Sequence, residues 1–343
     1  MKKFLKMFIP VGIVTMILIG CAGNSTNADE EAKSSVAVPD KVVIGTQNLS
    51  EPEAIAKAEE WFEEALGTKV EVVQFNGGSE FNTAMASGKI DFGMLGSAPA
   101  SMGIANGIDY QIIYVQSVLG EIESLVVNPN CHVQSADDLK GLTISTPFST
   151  TSHYSLLKYL EINGVNPDEV DIVDMKPSDT VAAYTRGDID GSFIWDPQCS
   201  EIIALGAVRI TTAKEMAELG YATMDVEIVK SSFAEQYPDI VTKYIACMDR
   251  AVELYNTDKE AAGAALEKQL GIPSDSALAQ VASSTWMTVN EQLSDDWFGS
   301  DKLAEKLYTT AMFLYDQGDI LEKPSLDIFK KAVHGEYMEA LKQ

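Results

Sequence analysis

Ser149, Thr150, Thr151 and Ser152 stand in an unbroken row directly ahead of His153 and Tyr154. Leu156, Leu157, Tyr159, Leu160 and Ile162 then recur at helical spacing, and Asn163-Gly164 closes the run. The row therefore sits at the start of a predicted helix. One hydroxyl is enough to cap a helix by accepting from its unpaired first amides. Four hydroxyls either only cap, or add OH donors to the amides and the positive end of the helix dipole so that together they hold an anion. A nucleophilic reading fails on geometry. Ser152 and His153 are adjacent, and neighbours on a helix point about 100° apart, so they form no nucleophile–base pair. The chain has no GxSxG elbow, and His132, His153 and His334 lack the spacing of metal ligands. No catalytic residue, metal or cofactor is expected. An extracellular hydrolase remains the distant alternative.

Other polar side chains fall at the ends of predicted elements. Gln47 ends the first predicted strand and Glu51 heads the first predicted helix, where a negative charge also simply suits the helix dipole. Ser97 begins the helix after Gly96, as a cap or as a second group of donors. Trp195 borders an Asp-Pro loop, as core or as the wall of a cleft. Asp225 lies within ATMDVEIV, just before a predicted crossing between two halves of the chain. His153 and Tyr154 could donate to a ligand or pack as a helix-face pair. Glu123 and Asp196 are outside candidates.

The elements that must position these residues alternate. VVIG, VEVVQF, IDFGML, YQIIYVQ and SLVV read as strands; Glu51–Gly67, Ser79–Gly88 and Ser97–Gly107 read as helices. Such alternation predicts mostly parallel sheets covered by helices on both faces. AMASGKIDFGMLGSAP (Ala84–Pro99) is echoed by AAYTRGDIDGSFIWDP (Ala182–Pro197), which places one helix-Gly-strand unit in each half. From Phe233 onward the pattern is nearly all helical. Such a tail suits a chain that crosses twice between two lobes and packs back on the first.

Composition limits the partners. The chain of 343 residues carries 25 Lys plus Arg against 51 Asp plus Glu, a formal charge of −26. It has no basic stripe for phosphates, which excludes a nucleic-acid partner. An acidic field repels a net-negative solute weakly beyond a Debye length of about 10 Å, and a zwitterion not at all. Lys2, Lys3 and Lys6 precede an apolar stretch, Met7–Ile19, that ends in Leu-Ile-Gly-Cys. The stretch is short for a membrane span, and the pattern is that of a lipoprotein leader over 1–20, with Cys21 as the lipid-bearing residue. Residues 21–40 then form a polar tether, and removal of the leader moves the formal charge from −26 to −29. The folded part is expected outside the cytoplasm, anchored by lipid to the cell membrane or held in a periplasm. The odd set Cys131, Cys199 and Cys247 permits at most one disulfide.

Several segments together resemble the extracytoplasmic solute-binding components of ABC importers, in the sulfonate, nitrate and taurine group. They are EPEAIAKA, ASGKIDFGMLGSAP, ESLVV, DDLKGLTISTPFSTTSHYSLLKYLEINGV, RGDIDGSFIWDP and ATMDVEIV, and the resemblance covers nearly all of Val42 to about Gly318. FSTTSHYSLL is most similar to the taurine branch. The chain departs from it by an extra Ser in the hydroxyl run and by Asp196 beside the tryptophan. The resemblance implies a two-lobe α/β fold of the type II periplasmic-binding-protein kind. Lobe 1 would be 41–121 with 228–343, and lobe 2 would be 122–227. It implies a single-copy receptor that captures taurine between the lobes and delivers it to a membrane permease with a cytoplasmic ATPase. Another alkanesulfonate, nitrate or a similar oxyanion is the alternative ligand. A sulfonate would take neutral donors from Ser97, Ser149, Thr150, Thr151, Ser152, His153 and Tyr154. An ammonium would take Asp225 and Glu51, with Trp195 beneath it and Gln47 nearby.

Overall fold

The structure, a computed structural model, describes residues 38–342. The leader, Cys21 and almost all of the tether lie outside the described residues. Among the described residues no helix is long and apolar enough to cross a membrane.

Two five-stranded sheets, both within one compact unit, organise the chain. In order, the strands are β1 (Lys41–Thr46), β2 (Lys69–Gln74), β3 (Phe92–Gly96), β4 (Tyr110–Val118) and β5 (Glu123–Val127). They continue with β6 (Thr143–Thr146), β7 (Asp171–Asp174), β8 (Gly191–Trp195), β9 (Val208–Thr212) and β10 (Met224–Lys230). The first sheet runs β2-β1-β3-β10-β4 and the second β7-β6-β8-β5-β9. Central strands such as β3 are buried along their whole length, because helices cover both faces; the edge strand β2 is largely exposed.

Both sheets are mixed, with one pattern. β10 is antiparallel to its neighbours β3 and β4, and β5 is antiparallel to β8 and β9. The other four strands of each sheet share a direction. The odd strand is in each case the one that has just crossed from the other sheet, so it enters from the opposite side. The internal echo has a counterpart here, since β3 and β8 hold the same place, each beside a crossing strand.

Two expectations shift. The second lobe is expected to run to residue 227, yet Met224–Lys230 is already hydrogen-bonded into the first sheet on both sides. The chain therefore returns ahead of Met224, and Asp225 belongs to the first sheet. The single helix expected over Glu51–Gly67 is two, α1 (Pro52–Ala58) and α2 (Trp61–Leu66). Glu60 breaks it in a left-handed conformation, φ 59°. Packing overrides the helical period there. The break turns Trp61 and Phe62 inward, Phe62 stacking on Tyr244 at 4.6 Å and Trp61 lying under the Arg250 guanidinium at 3.8 Å.

Three more helices matter for the site: α3 (Gly78–Ala86), α4 (Ser97–Ala105) and α5 (Thr151–Ile162). The C-terminal helices pack on the first sheet. Pro238–Thr257 buries Ile240, Val241, Tyr244, Ile245 and Met248 against it, and Lys302–Gln317 packs on α4.

Candidate ligand-binding site

Strand direction gathers the site. In an open α/β sheet, the carboxyl ends of co-directional strands lie on one edge, where ligands bind. A crossing strand runs the other way, so its first residues arrive at that same edge. Gln47 and Glu51 follow β1, Gly96 ends β3, Trp195 ends β8, and Thr150 and Thr151 follow β6. Glu123 is the first residue of β5 and Asp225 the second of β10. All eight line one cavity of about 40 Å³, the space of a few water molecules. None of the described residues lining it is Lys, Arg or His.

Three carboxylates face this space. Glu51 is 2% exposed; Ser117 Oγ donates to its Oε1 at 2.6 Å, and its Oε2 has no partner. Burial, and then the charge of Asp225, drive its pKa well above the ordinary carboxylate value. Glu123 is 0% exposed; Thr151 Oγ1 donates to its Oε1 at 2.8 Å and Ser152 Oγ donates to the same oxygen. Its Oε2 has no partner, and burial pushes its pKa up to about 7 against the pull of those hydroxyls. Burial alone pushes Asp225 up to about 7. Among the described residues no group of His, Cys, Asp or Glu is arranged to hold a metal ion.

Donors come from helix starts. The caps of α3 and α4 are Gly77 and Gly96, neither with a capping side chain, so no side chain takes up the amides of Gly78, Ser79, Ser97 and Ala98; Glu80 N donates to Gly77 O at 3.1 Å and Pro99 carries no N–H. Gly96 also permits a close approach. A Cβ there would meet Thr151 Cγ2 at 2.8 Å, with Asp225 Oδ1 at 3.6 Å. The two sheets therefore come together over this glycine.

The hydroxyl run divides its labour. Thr150 is the cap of α5: its Oγ1 accepts from His153 N at 3.3 Å and donates to Pro147 O at 2.6 Å. Thr151 and Ser152 serve Glu123, so their hydroxyls are turned to a carboxyl of the protein and not to a ligand's anionic group. Buried Glu123 demands those donors, and an acceptor that is always present outcompetes one that comes and goes. Ser149, φ 59°, points its amide toward His153 Nδ1 at 3.5 Å and does not reach the cavity.

Four further candidates lie elsewhere. Ser97 Oγ accepts from Met224 N at 3.3 Å, tying α4 to β10. The His153 ring stacks on Phe148 at 4.4 Å, and burial lowers its pKa. Tyr154 packs edge-on against Phe313 at 5.2 Å and joins the first lobe's core. Asp196 Oδ1 accepts from Ser200 N at 2.9 Å and Ser200 Oγ at 2.7 Å, capping the helix Gln198–Ala204. Gln47, Glu51, Thr150, Thr151, Trp195 and Asp225 are brought together. Sequence reasoning underrated Glu123, whose signal was a carboxylate leading the apolar run Leu125–Val127. It missed Gly77-Gly78, a glycine pair directly ahead of a helix.

The chain is similar to the taurine-binding periplasmic protein of Escherichia coli (strain K12). The two are 30% identical over 285 residues, 81% of this chain and 87% of that protein. Its fold is that of the alkanesulfonate-binding protein of Xanthomonas axonopodis pv. citri, solved bound to MOPS. The TM-score is 0.70 at 21% identity, covering 87% of this chain and 99% of that one. The periplasmic aliphatic sulphonate binding protein of Escherichia coli also has a TM-score of 0.70, at 22% identity, covering 84% of this chain and 91% of that one. The profile of the family described as NMT1/THI5 like matches residues 50–262, more than half of the chain, and the chain belongs to that family.

Proposed function

We propose that this protein is the binding component of an ABC importer and that its ligand is a small aminosulfonate, with taurine as the reference compound. The observation that carries this reading is the trio Glu51, Glu123 and Asp225 on a cavity whose described lining has no cationic side chain. A ligand with only an anionic group would leave buried acceptors unpaired, at a cost of about 1–3 kcal/mol each. An ammonium satisfies them. The sulfonate pole needs several donors and little net charge, which the uncapped starts of α3 and α4 and the Gln47 amide supply. Trp195 walls the space between the poles. The similarity to a taurine-binding protein supports the same ligand class.

The lobes in this reading are 41–121 with 224–342, and 122–223. The protein works as a single copy on the outer side of the membrane. A lipid on Cys21 holds it near the permease, and an ATPase beneath the permease drives uptake. The test is calorimetric titration with taurine, ethanesulfonate and nitrate, on the unmodified protein and on Asp225→Asn. Taurine is expected to bind at least about 100-fold more tightly than ethanesulfonate, and Asp225→Asn to erase most of that margin. Ethanesulfonate binding as tightly as taurine would overturn the assignment.

A further inference from the structure

We propose that Glu51, Glu123 and Asp225 form a three-acceptor seat that selects a primary ammonium over its N-methylated counterparts, with Glu123 the specificity-determining member from the second lobe. This rests on the aminosulfonate reading and adds to it which amines are accepted. An ammonium carries three N–H donors, and a seat that reads all three needs three acceptors on different sides. Here each acceptor comes from a different element: Glu51 at the head of α1, Asp225 on β10 and Glu123 on β5.

Two of the three are fixed on one side and open on the other. Ser117 holds Glu51 Oε1, and Thr151 and Ser152 hold Glu123 Oε1. The remaining oxygens, Glu51 Oε2 and Glu123 Oε2, are buried and make no hydrogen bond of normal geometry; Trp286 and Thr223 are the side-chain donors beside the two carboxyls. No side-chain hydrogen bond holds the Asp225 carboxylate, and burial raises its pKa. A carboxylate anchored by one oxygen has little rotamer freedom left to lose when the other binds. Lys57 lies 3.9 Å from Glu53 Oε1 and donates to Thr46 Oγ1, so it does not fill the seat. Since Glu51 and Asp225 belong to the first lobe and Glu123 to the second, the same ammonium joins the lobes.

Each N-methyl group removes one donor and leaves one buried oxygen unpaired, so affinity is expected to fall about 10- to 100-fold per methyl. The experiment is titration of the unmodified protein with taurine, N-methyltaurine and N,N-dimethyltaurine, repeated on Glu123→Gln with thermal melting as a folding control. The expected result is a stepwise loss along the series. The folded Glu123→Gln variant should bind taurine about 10- to 100-fold more weakly and lose one step of the series. Equal binding of taurine and N,N-dimethyltaurine by the unmodified protein would overturn the seat and leave the aminosulfonate reading standing. A methyl penalty of the same size in Glu123→Gln would also overturn it, by showing that crowding and not donor count sets the preference. Binding of ethanesulfonate but not taurine would instead remove the aminosulfonate reading.

Discussion

Raising the pH from 6 to 8 should tighten ligand binding while weakening the empty fold, and the same carboxyl groups cause both. Burial pushes Glu123 and Asp225 up to about 7. A bound ammonium, with a pKa like that of a lysine amine at about 10.4, stays charged throughout and holds both groups ionised. The ionised fraction of a group with a pKa of 7 is about a tenth at pH 6 and about nine tenths at pH 8. Affinity should therefore rise about tenfold for one such group and up to about a hundredfold for two. Glu51 is raised as well, by burial and by the charge of Asp225, and can only steepen the slope. For folding the sign is opposite. Both groups are raised from ordinary values of 4.5 and 3.8, so between about pH 4 and pH 7 the folded state holds protons that the unfolded state has lost. Their contribution to stability is complete below about pH 4, is lost as the pH rises to 7 and is flat above, in all roughly 3–4 kcal/mol for each group. Calorimetry at pH 6, 7 and 8 at constant ionic strength, in buffers of different ionisation enthalpy, measures the affinity and the protons released. Affinity that is flat or falling with pH, or binding without proton release, would refute the reasoning.

Gly96→Ala should weaken binding about tenfold, because its Cβ would meet Thr151 Cγ2 at 2.8 Å where the lobes close, a crowding cost of about 1–3 kcal/mol. Titration at constant pH checks this, and unchanged affinity would show that the lobes need not approach so closely. His153→Ala should change affinity less than about threefold and cost only about 1 kcal/mol of stability, since the ring stacks on Phe148 away from the cavity. Loss of binding with an intact melting transition would return His153 to the ligand.

Much of this architecture could be read from local pattern. Strand–helix alternation, the start of α5 at the hydroxyl row and the helical tail all follow from spacing and capping preferences, which act within a few residues. Gln47, Glu51, Thr150, Thr151, Trp195 and Asp225 were legible because each sits at an element end, and in an α/β sheet the element ends form the binding edge.

What pattern alone left open was which polar group faces which. Thr151 and Ser152 looked like donors for an anion, yet they serve Glu123, 28 and 29 residues earlier in the chain. Ser97 looked like a binding residue, yet it is the glycine before it that meets the cavity while Ser97 braces β10. Asp225 and Glu123 reach the site only because β10 and β5 run against their sheets, a direction set by the two crossings between lobes. Spacing along the chain determined the elements and the residues at their ends. The polarity of the crossing strands, a property of the assembled sheets, decided that three carboxylates share one cavity and which hydroxyls hold them.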